Sequence, residues 1–279
     1  MSIRIACINA EPASRYREKG YATEQLEAYY NPNSVADDVC VFAHGDEDWD
    51  LSQRVRVVGF HSLPELTDKA LAYKPNVVRC YGGFHPSAEY ALLVAMQMNV
   101  PSYLSLHDYR VQYRSALARF SAITAYTETI VTAAKHNLQR DVELQLNGID
   151  SRLISPRKPF HVDPRVNDAK YRVFTISRND PIKNIKTNMD ATRIVAQQLG
   201  SLAHVIAGEG TEDIPFDGVH LGVGNLEQDM VCEYLNWAQC FLQLQLVADI
   251  GKAATEALMV GRPVIHTGDA SGNAILHID

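Results

Sequence analysis

Short apolar, β-branched runs alternate along the chain with stretches whose apolar residues recur every three or four positions. The runs IRIACI (3–8), VCVFA (39–43), VRVVGF (55–60), NVVRCY (76–81), SYLSL (102–106) and AITAY (122–126) predict buried strands. Between them ATEQLEAYY, SLPELTDKALAYK, SAEYALLVAMQM and TETIVTAAKHNL predict helices. Strands that are apolar throughout and separated by helices point to a parallel sheet covered on both faces.

The alternation breaks at SRLISPRKPFHVDPRVNDAK (151–170), which has three prolines and little periodicity and reads as a linker. It then restarts with strands at YRVFTIS (171–177), AHVIAG (203–208), VHLGV (219–223), CFLQLQL (240–246) and PVIHT (263–267). Helices are expected over about 184–199, 226–237 and 252–260. The fold class expected is therefore α/β, with two Rossmann-like, doubly wound parallel-sheet domains over 1–160 and 161–279. Two such units suggest a cleft lined by loops at the carboxyl ends of the strands.

Composition narrows the choice of partner. The chain has 279 residues, 46% hydrophobic and 21% charged, with a net charge of −7. That balance argues against a nucleic-acid partner, which needs a basic face, and leaves room for a small phosphate ligand. The five cysteines, Cys7, Cys40, Cys80, Cys232 and Cys240, form no C-x-x-C pair and are expected to be buried reduced thiols. The N-terminus lacks a long apolar signal region, and no run reaches the roughly 18 apolar residues of a membrane span. A cytoplasmic protein is expected.

Against this acidic background the positive charge is unevenly placed. After position 165 there are eight Lys and Arg against 14 Asp and Glu, and none of the eight lies between 194 and 251. Three of them fall within ISRNDPIKNIK (176–186). Arg178 follows a strand and Lys183 precedes a helix, five positions on. Two cations so placed can converge on one anion, with a helix N-terminus adding its N–H groups; a solvated basic loop is the plain alternative. VIAGEGTE (205–212) runs a strand into Gly208-x-Gly210 but lacks the third glycine of a dinucleotide fingerprint. In ADIGKAATEALMVGRPVI (248–265), Gly251 opens a helix whose N–H groups at Gly251, Lys252 and Ala253 would seat an anion. Glu256 lies about one turn in, where a carboxylate can face a vicinal diol. No H-E-x-x-H spacing and no Cys/His ligand set occurs, so no metal site is expected. The basic and aromatic residues of DYRVQYRSALARF (108–120) are read as helical, with Arg110 and Arg114 on one face. That face is either solvated or an acceptor or anionic-lipid surface in peripheral contact with a membrane.

The order SRNDPIKNI, VIAGEG, VHLGV, ATEALMVGRPVI resembles the C-terminal half of the family 4 retaining glycosyltransferases, which have the GT-B fold. KPNVVRCYGG (74–83), NVPSYLSLHD (99–108) and LQLNGID (144–150) are similar to that family's N-terminal half. The resemblance implies a metal-independent, cofactor-free hexosyl transfer from a nucleoside diphosphate sugar to a hydroxyl acceptor such as a glycan or glycolipid. It implies that Arg178 and Lys183 hold the donor diphosphate, aided by Gly208, Gly210, Gly251, Lys252 and Ala253. Glu256 would bind the ribose and His107 would sit at the reacting sugar. The family's first glutamate, eight positions before Glu256, falls here on Ala248, with Asp249 beside it as a substitute. The family's N-terminal P-x-x-GG loop is missing. The sequence given ends in GDASGNAILHID, so the C-terminal domain is expected to be truncated and covered by a homodimer or another partner. The alternative implied by Ala248 is a catalytically degenerate GT-B-like protein that binds nucleotide or a partner.

Overall fold

The computed structural model describes residues 2–9, 11–18, 21–107, 111–146, 148–246 and 251–267. It divides the chain into two compact units, Met1–Leu146 and Asn147–Asp279.

The first unit runs β1 (Arg4–Asn9), α1 (Ser14–Glu18), α2 (Thr23–Tyr30), β2 (Asp38–His44), β3 (Trp49–Asp50), β4 (Val55–Phe60) and α3 (Leu63–Tyr73). It continues with β5 (Val77–Tyr81), α4 (Ser87–Met98), β6 (Ser102–Leu106), β7 (Ala122–Ala125), α5 (Glu128–Leu138) and β8 (Glu143–Leu144). The sheet order is β3-β4-β2-β1-β5-β6-β7-β8, parallel except where β3 folds back antiparallel on β4. Alternation along the strands sets the two faces. Val78, Cys80, Leu104, Leu106 and Ile123 pack with α4 and α5 in one core. Cys7, Val39 and Val41 pack with Leu26 and Tyr30 of α2 in another. The register pairs Arg79 with Cys7 and with Tyr103, and Tyr81 with Ser105, so these side chains share the face away from α4.

Residues 111–120 do not form the helix expected over 108–120. Only Ser115–Arg119 is helical, as a short 3-10 segment, and 108–110, including Arg110, lie outside the described residues. Val111, Leu117 and Phe120 are buried in the α4 core. Those three anchors hold residues 111–120 against that core, while the face expected of Arg110 with Arg114 rests on a residue outside those described. Arg114 pairs instead with Glu89 at 2.7 Å.

The second unit runs α6 (Pro164–Asn167), β9 (Tyr171–Ile176), α7 (Ile185–Leu199), β10 (Leu202–Ala207), β11 (His220–Gly224), α8 (Gln228–Trp237), β12 (Cys240–Gln243), α9 (Lys252–Met259) and β13 (Val264–His266). Its sheet is parallel, in the order β11-β10-β9-β12-β13. Phe174, Val205, Leu221, Trp237 and Phe241 fill a core closed by Ala254 and Ala257 of α9. The proline-rich stretch after Leu146 belongs to this body. Ile154 and Val166 are buried in the same core. The Arg157 N–H donates to Asn236 Oδ1 at 2.8 Å and the Phe160 N–H to Glu233 Oε2 at 2.5 Å, strapping the stretch along α8. All five cysteines are free thiols. Among the described residues no helix is long and apolar enough to cross a membrane.

Candidate functional site

In the second unit β9 and β10 end side by side, Ile176 opposite Ala207, and the chain beyond them stays joined. The Ser177 N–H donates to Ala207 O at 2.7 Å and the Asn179 N–H to Glu209 O at 2.8 Å. Asn179 Nδ2 donates to Gly210 O at 3.0 Å. This close approach requires a glycine at 208, where φ is +129° and a Cβ would stand 2.3 Å from Ser177 O. The glycine loop is thus a brace for the Arg178 loop.

After Arg178, Asp180 caps a single 3-10 turn, Pro181–Lys183, by accepting the Ile182 N–H at 3.0 Å. Asn184, in the left-handed region at φ 53°, then opens α7. Arg178 is exposed, with Asp180 Oδ2 3.9 Å from its Nη2. Lys183 turns toward the end of β12, where its Nζ donates to Gln245 Oε1 at 3.0 Å. The loop is stitched to that strand end by backbone as well. The Leu246 N–H donates to Ile182 O at 2.9 Å. Asn188, fully buried on α7, accepts the Leu244 N–H at 2.9 Å and donates to Asn184 O at 3.2 Å.

Lys183 carries only donors, so Gln245 must present its oxygen to it. Gln243 Nε2 lies 3.5 Å from the same oxygen, and Gln245 Nε2 faces His266 Nε2 at 3.3 Å. The pair is buried and sits beside the start of α9, where a Cβ on Gly251 would lie 3.6 Å from Gln243 Nε2. The first helical bonds of α9 run from Ala254 and Thr255 back to Gly251 O. The N–H groups of Gly251, Lys252 and Ala253 therefore precede the ladder and carry the positive end of the helix dipole. Lys183 and this N-terminus meet around the two glutamines, at the carboxyl ends of the strands.

Glu256, one turn into α9, is 5% exposed. Burial raises its pKa above the usual carboxylate range, opposed by Lys252 Nζ at 3.4 Å and by Gln228 Nε2 at 3.3 Å. Asp249 and Ala248 lie outside the described residues.

In the first unit His107 follows β6 and joins a run of stacked rings drawn from four segments. Tyr29 stacks on Tyr81 at 4.6 Å, Tyr81 meets His107 at 5.8 Å, and His107 stacks on Tyr126 at 5.7 Å. Ser105 Oγ lies 2.7 Å from His107 Nε2. Burial, aided by the Arg79 guanidinium, lowers the His107 pKa to about 4. The ring is therefore neutral at neutral pH, a hydrogen-bonding group and not a charge.

Sequence reasoning missed Gln243, Gln245, Asn188 and the tyrosine stack. A signal existed for the glutamines, which sit two apart in CFLQLQL and so share one side of an apolar strand end. A cavity of about 580 Å³ opens at the other, amino end of the second sheet, lined by Arg165, Arg193 and Phe216 among others. Its arginines are already paired, Arg165 with Asp163 at 2.7 Å and Arg193 with Asp190 at 3.0 Å. It contains none of the residues expected to bind a donor, and ligands of parallel sheets bind at the opposite end. Among the described residues no three His, Cys, Asp or Glu side chains gather as a metal would need.

No family model and no curated protein matches the sequence. Solved structures do match the fold. Sucrose-phosphate synthase from Thermosynechococcus elongatus superposes with a TM-score of 0.65 at 15% identity, over 95% of this chain and 81% of that one. A UDP-forming α,α-trehalose-phosphate synthase from Burkholderia xenovorans gives 0.65 at 10% identity, over 99% and 86%. The catalytic domain of starch synthase IV from Arabidopsis thaliana, bound to ADP and acarbose, gives 0.63 at 11% identity, over 100% and 85%. The chain has the GT-B fold shared by these proteins.

Proposed function

We propose that the protein is a retaining glycosyltransferase that moves a hexose from a nucleoside diphosphate sugar to a hydroxyl acceptor without a metal. The observation that carries this reading is the meeting of Lys183 with the N-terminus of α9 at the carboxyl ends of the second sheet. A diphosphate seated there takes N–H donors from Gly251, Lys252 and Ala253 and a charge from Lys183, with Arg178 adding a second charge from the same loop. The groups that bind it also stabilise it as it leaves with negative charge, an effect worth several kcal/mol in a preorganised site. Glu256 accepts hydrogen bonds from the ribose hydroxyls. His107, neutral, hydrogen-bonds the reacting sugar. The GT-B neighbours support the reading, one of them being described as UDP-forming and another as bound to ADP.

The expected result is a higher Tm with millimolar UDP, ADP or GDP, unchanged by EDTA. At 100 times Kd a ligand adds about 2.7 kcal/mol to the folded state. Lys183→Ala should weaken the diphosphate about 10- to 100-fold, as a charge-assisted hydrogen bond of roughly 1.5–3 kcal/mol implies, and leave the matching nucleoside unaffected. Equal losses for diphosphate and nucleoside, or no Tm shift with any of the three, would refute the donor site. Binding without turnover of any nucleotide sugar would support the alternative of a degenerate nucleotide-binding protein, which Ala248 at the family's glutamate position favours.

A further inference from the structure

We propose that Gln243 is a specificity-determining residue, whose Oε1 accepts a hydrogen bond from a sugar hydroxyl of a ligand with its diphosphate against the N-terminus of α9. The inference rests on the donor-site reading and extends it to a particular atom and the group it selects. Gln243 is 4% exposed, and its Oε1 is buried without a hydrogen-bond partner among the described residues. The orientation of the amide follows from its neighbours. Lys183 cannot accept, so Gln245 shows it an oxygen; Gln243 must then turn its NH₂ toward that oxygen. Its Oε1 is then left without a donor among the described residues; of the two amide atoms near Gly251, Nε2 would lie 3.6 Å and Oε1 4.0 Å from the place a Cβ would take.

A buried acceptor with no donor destabilises the empty protein, and it marks a place where a ligand brings the donor. An ionised phosphate oxygen carries no proton and cannot supply it. A hydroxyl can. The site thus divides its work: N–H groups and Lys183 take the phosphate oxygens, and the amide oxygen takes an adjacent hydroxyl. Two hydroxyl-bearing rings flank the diphosphate of a nucleotide sugar, the ribose and the hexose to be transferred.

The experiment compares wild type with Gln243→Met, which keeps the length of the side chain and removes the acceptor. Inorganic pyrophosphate, UDP and UDP-glucose are titrated by calorimetry, with the ADP and GDP pairs alongside. Pyrophosphate affinity should be unchanged. A loss of about tenfold, the size of one hydrogen bond, should appear for UDP if the hydroxyl is on the ribose, and only for UDP-glucose if it is on the hexose. The ligand-free Tm should stay level or rise, because the atom removed was unsatisfied. An equal loss for pyrophosphate, or a Tm lowered by several degrees with parallel losses for all ligands, would mean that Gln243 only supports the loop, and would overturn the proposal. Unchanged affinity for every nucleotide overturns this assignment alone. A wild type that binds none of the nucleotides overturns it together with the donor-site reading.

Discussion

Gly208→Ala is expected to destabilise the second unit by roughly 3 kcal/mol or more, beyond the range of an ordinary surface substitution. Two costs combine. Gly208 has φ +129°, a conformation that residues with a Cβ avoid at about 1–3 kcal/mol. The new methyl would also stand 2.3 Å from Ser177 O and 3.1 Å from Arg178 N, both backbone atoms of the neighbouring strand end. Forced overpacking of that kind typically adds another 1–3 kcal/mol. The strand ends can relieve the clash only by parting, which breaks the Asn179–Glu209 bond and displaces Arg178. Gly261→Ala is the control: φ there is +73°, and nothing lies within 4 Å of the added methyl. It should show the conformational cost alone, about 1–2 kcal/mol. Urea unfolding followed by fluorescence of the buried Trp237 measures both. Equal losses for the two variants would disprove the steric brace.

Acid should unfold the protein through histidines held neutral in its interior. His204 is fully buried on β10, its Nε2 2.9 Å from Thr175 Oγ1 and its Nδ1 3.0 Å from Thr192 Oγ1. Burial, with His220 adding to it, depresses its pKa to about 3; His107 is depressed to about 4. In the unfolded chain both titrate near 6.5, so below that pH the unfolded state binds more protons. Stability is then complete above about pH 6.5 and is lost as pH falls toward 4 and 3. Each tenfold loss of proton affinity on folding corresponds to about 1.4 kcal/mol, so His204 withdraws roughly 5 kcal/mol by pH 3 and His107 roughly 3 kcal/mol by pH 4. Asp217 acts in the same direction. Its burial would raise its pKa, but hydrogen bonds from the backbone and ring of His220 and from the Val219 N–H hold it below the usual range. Glu256, raised by burial, acts the other way. His204→Asn should be less stable at pH 7 and yet lose less between pH 6 and 4. Parallel pH profiles for the variant and wild type would exclude His204 as the acid-labile group.

The fold was legible because its signals are local. Apolar β-branched runs such as VRVVGF and YRVFTIS can hardly be anything but buried strands, and Gly251 marks the start of α9 by itself. Elements of two to five residues, such as α1, β3 and β8, carry too few positions for a period to show. Of the candidate site, the charges and glycines stand out in the sequence. The glutamines do not, because what Gln243 and Gln245 touch depends on how β12 meets α9 and the Lys183 loop. The tyrosine stack gathers Tyr29, Tyr81 and Tyr126 from distant segments, and no window of sequence contains it. The stretch 151–170 reads as a linker because its partners, Glu233 and Asn236, bind its backbone and leave no pattern in its side chains.

The stitching of the Lys183 loop to the end of β12 bears on how this end of the protein opens. Leu244 N–H is held by Asn188 from the first turns of α7, and Leu246 N–H by Ile182. Neither bond can break unless the helix start and the strand end separate. In deuterated water the two amides should therefore exchange together and at the rate of the opening turns of α7, as one cooperative unit. A loop at the ends of strands is ordinarily among the first segments to exchange; this one is tied to a helix and would be released only with it.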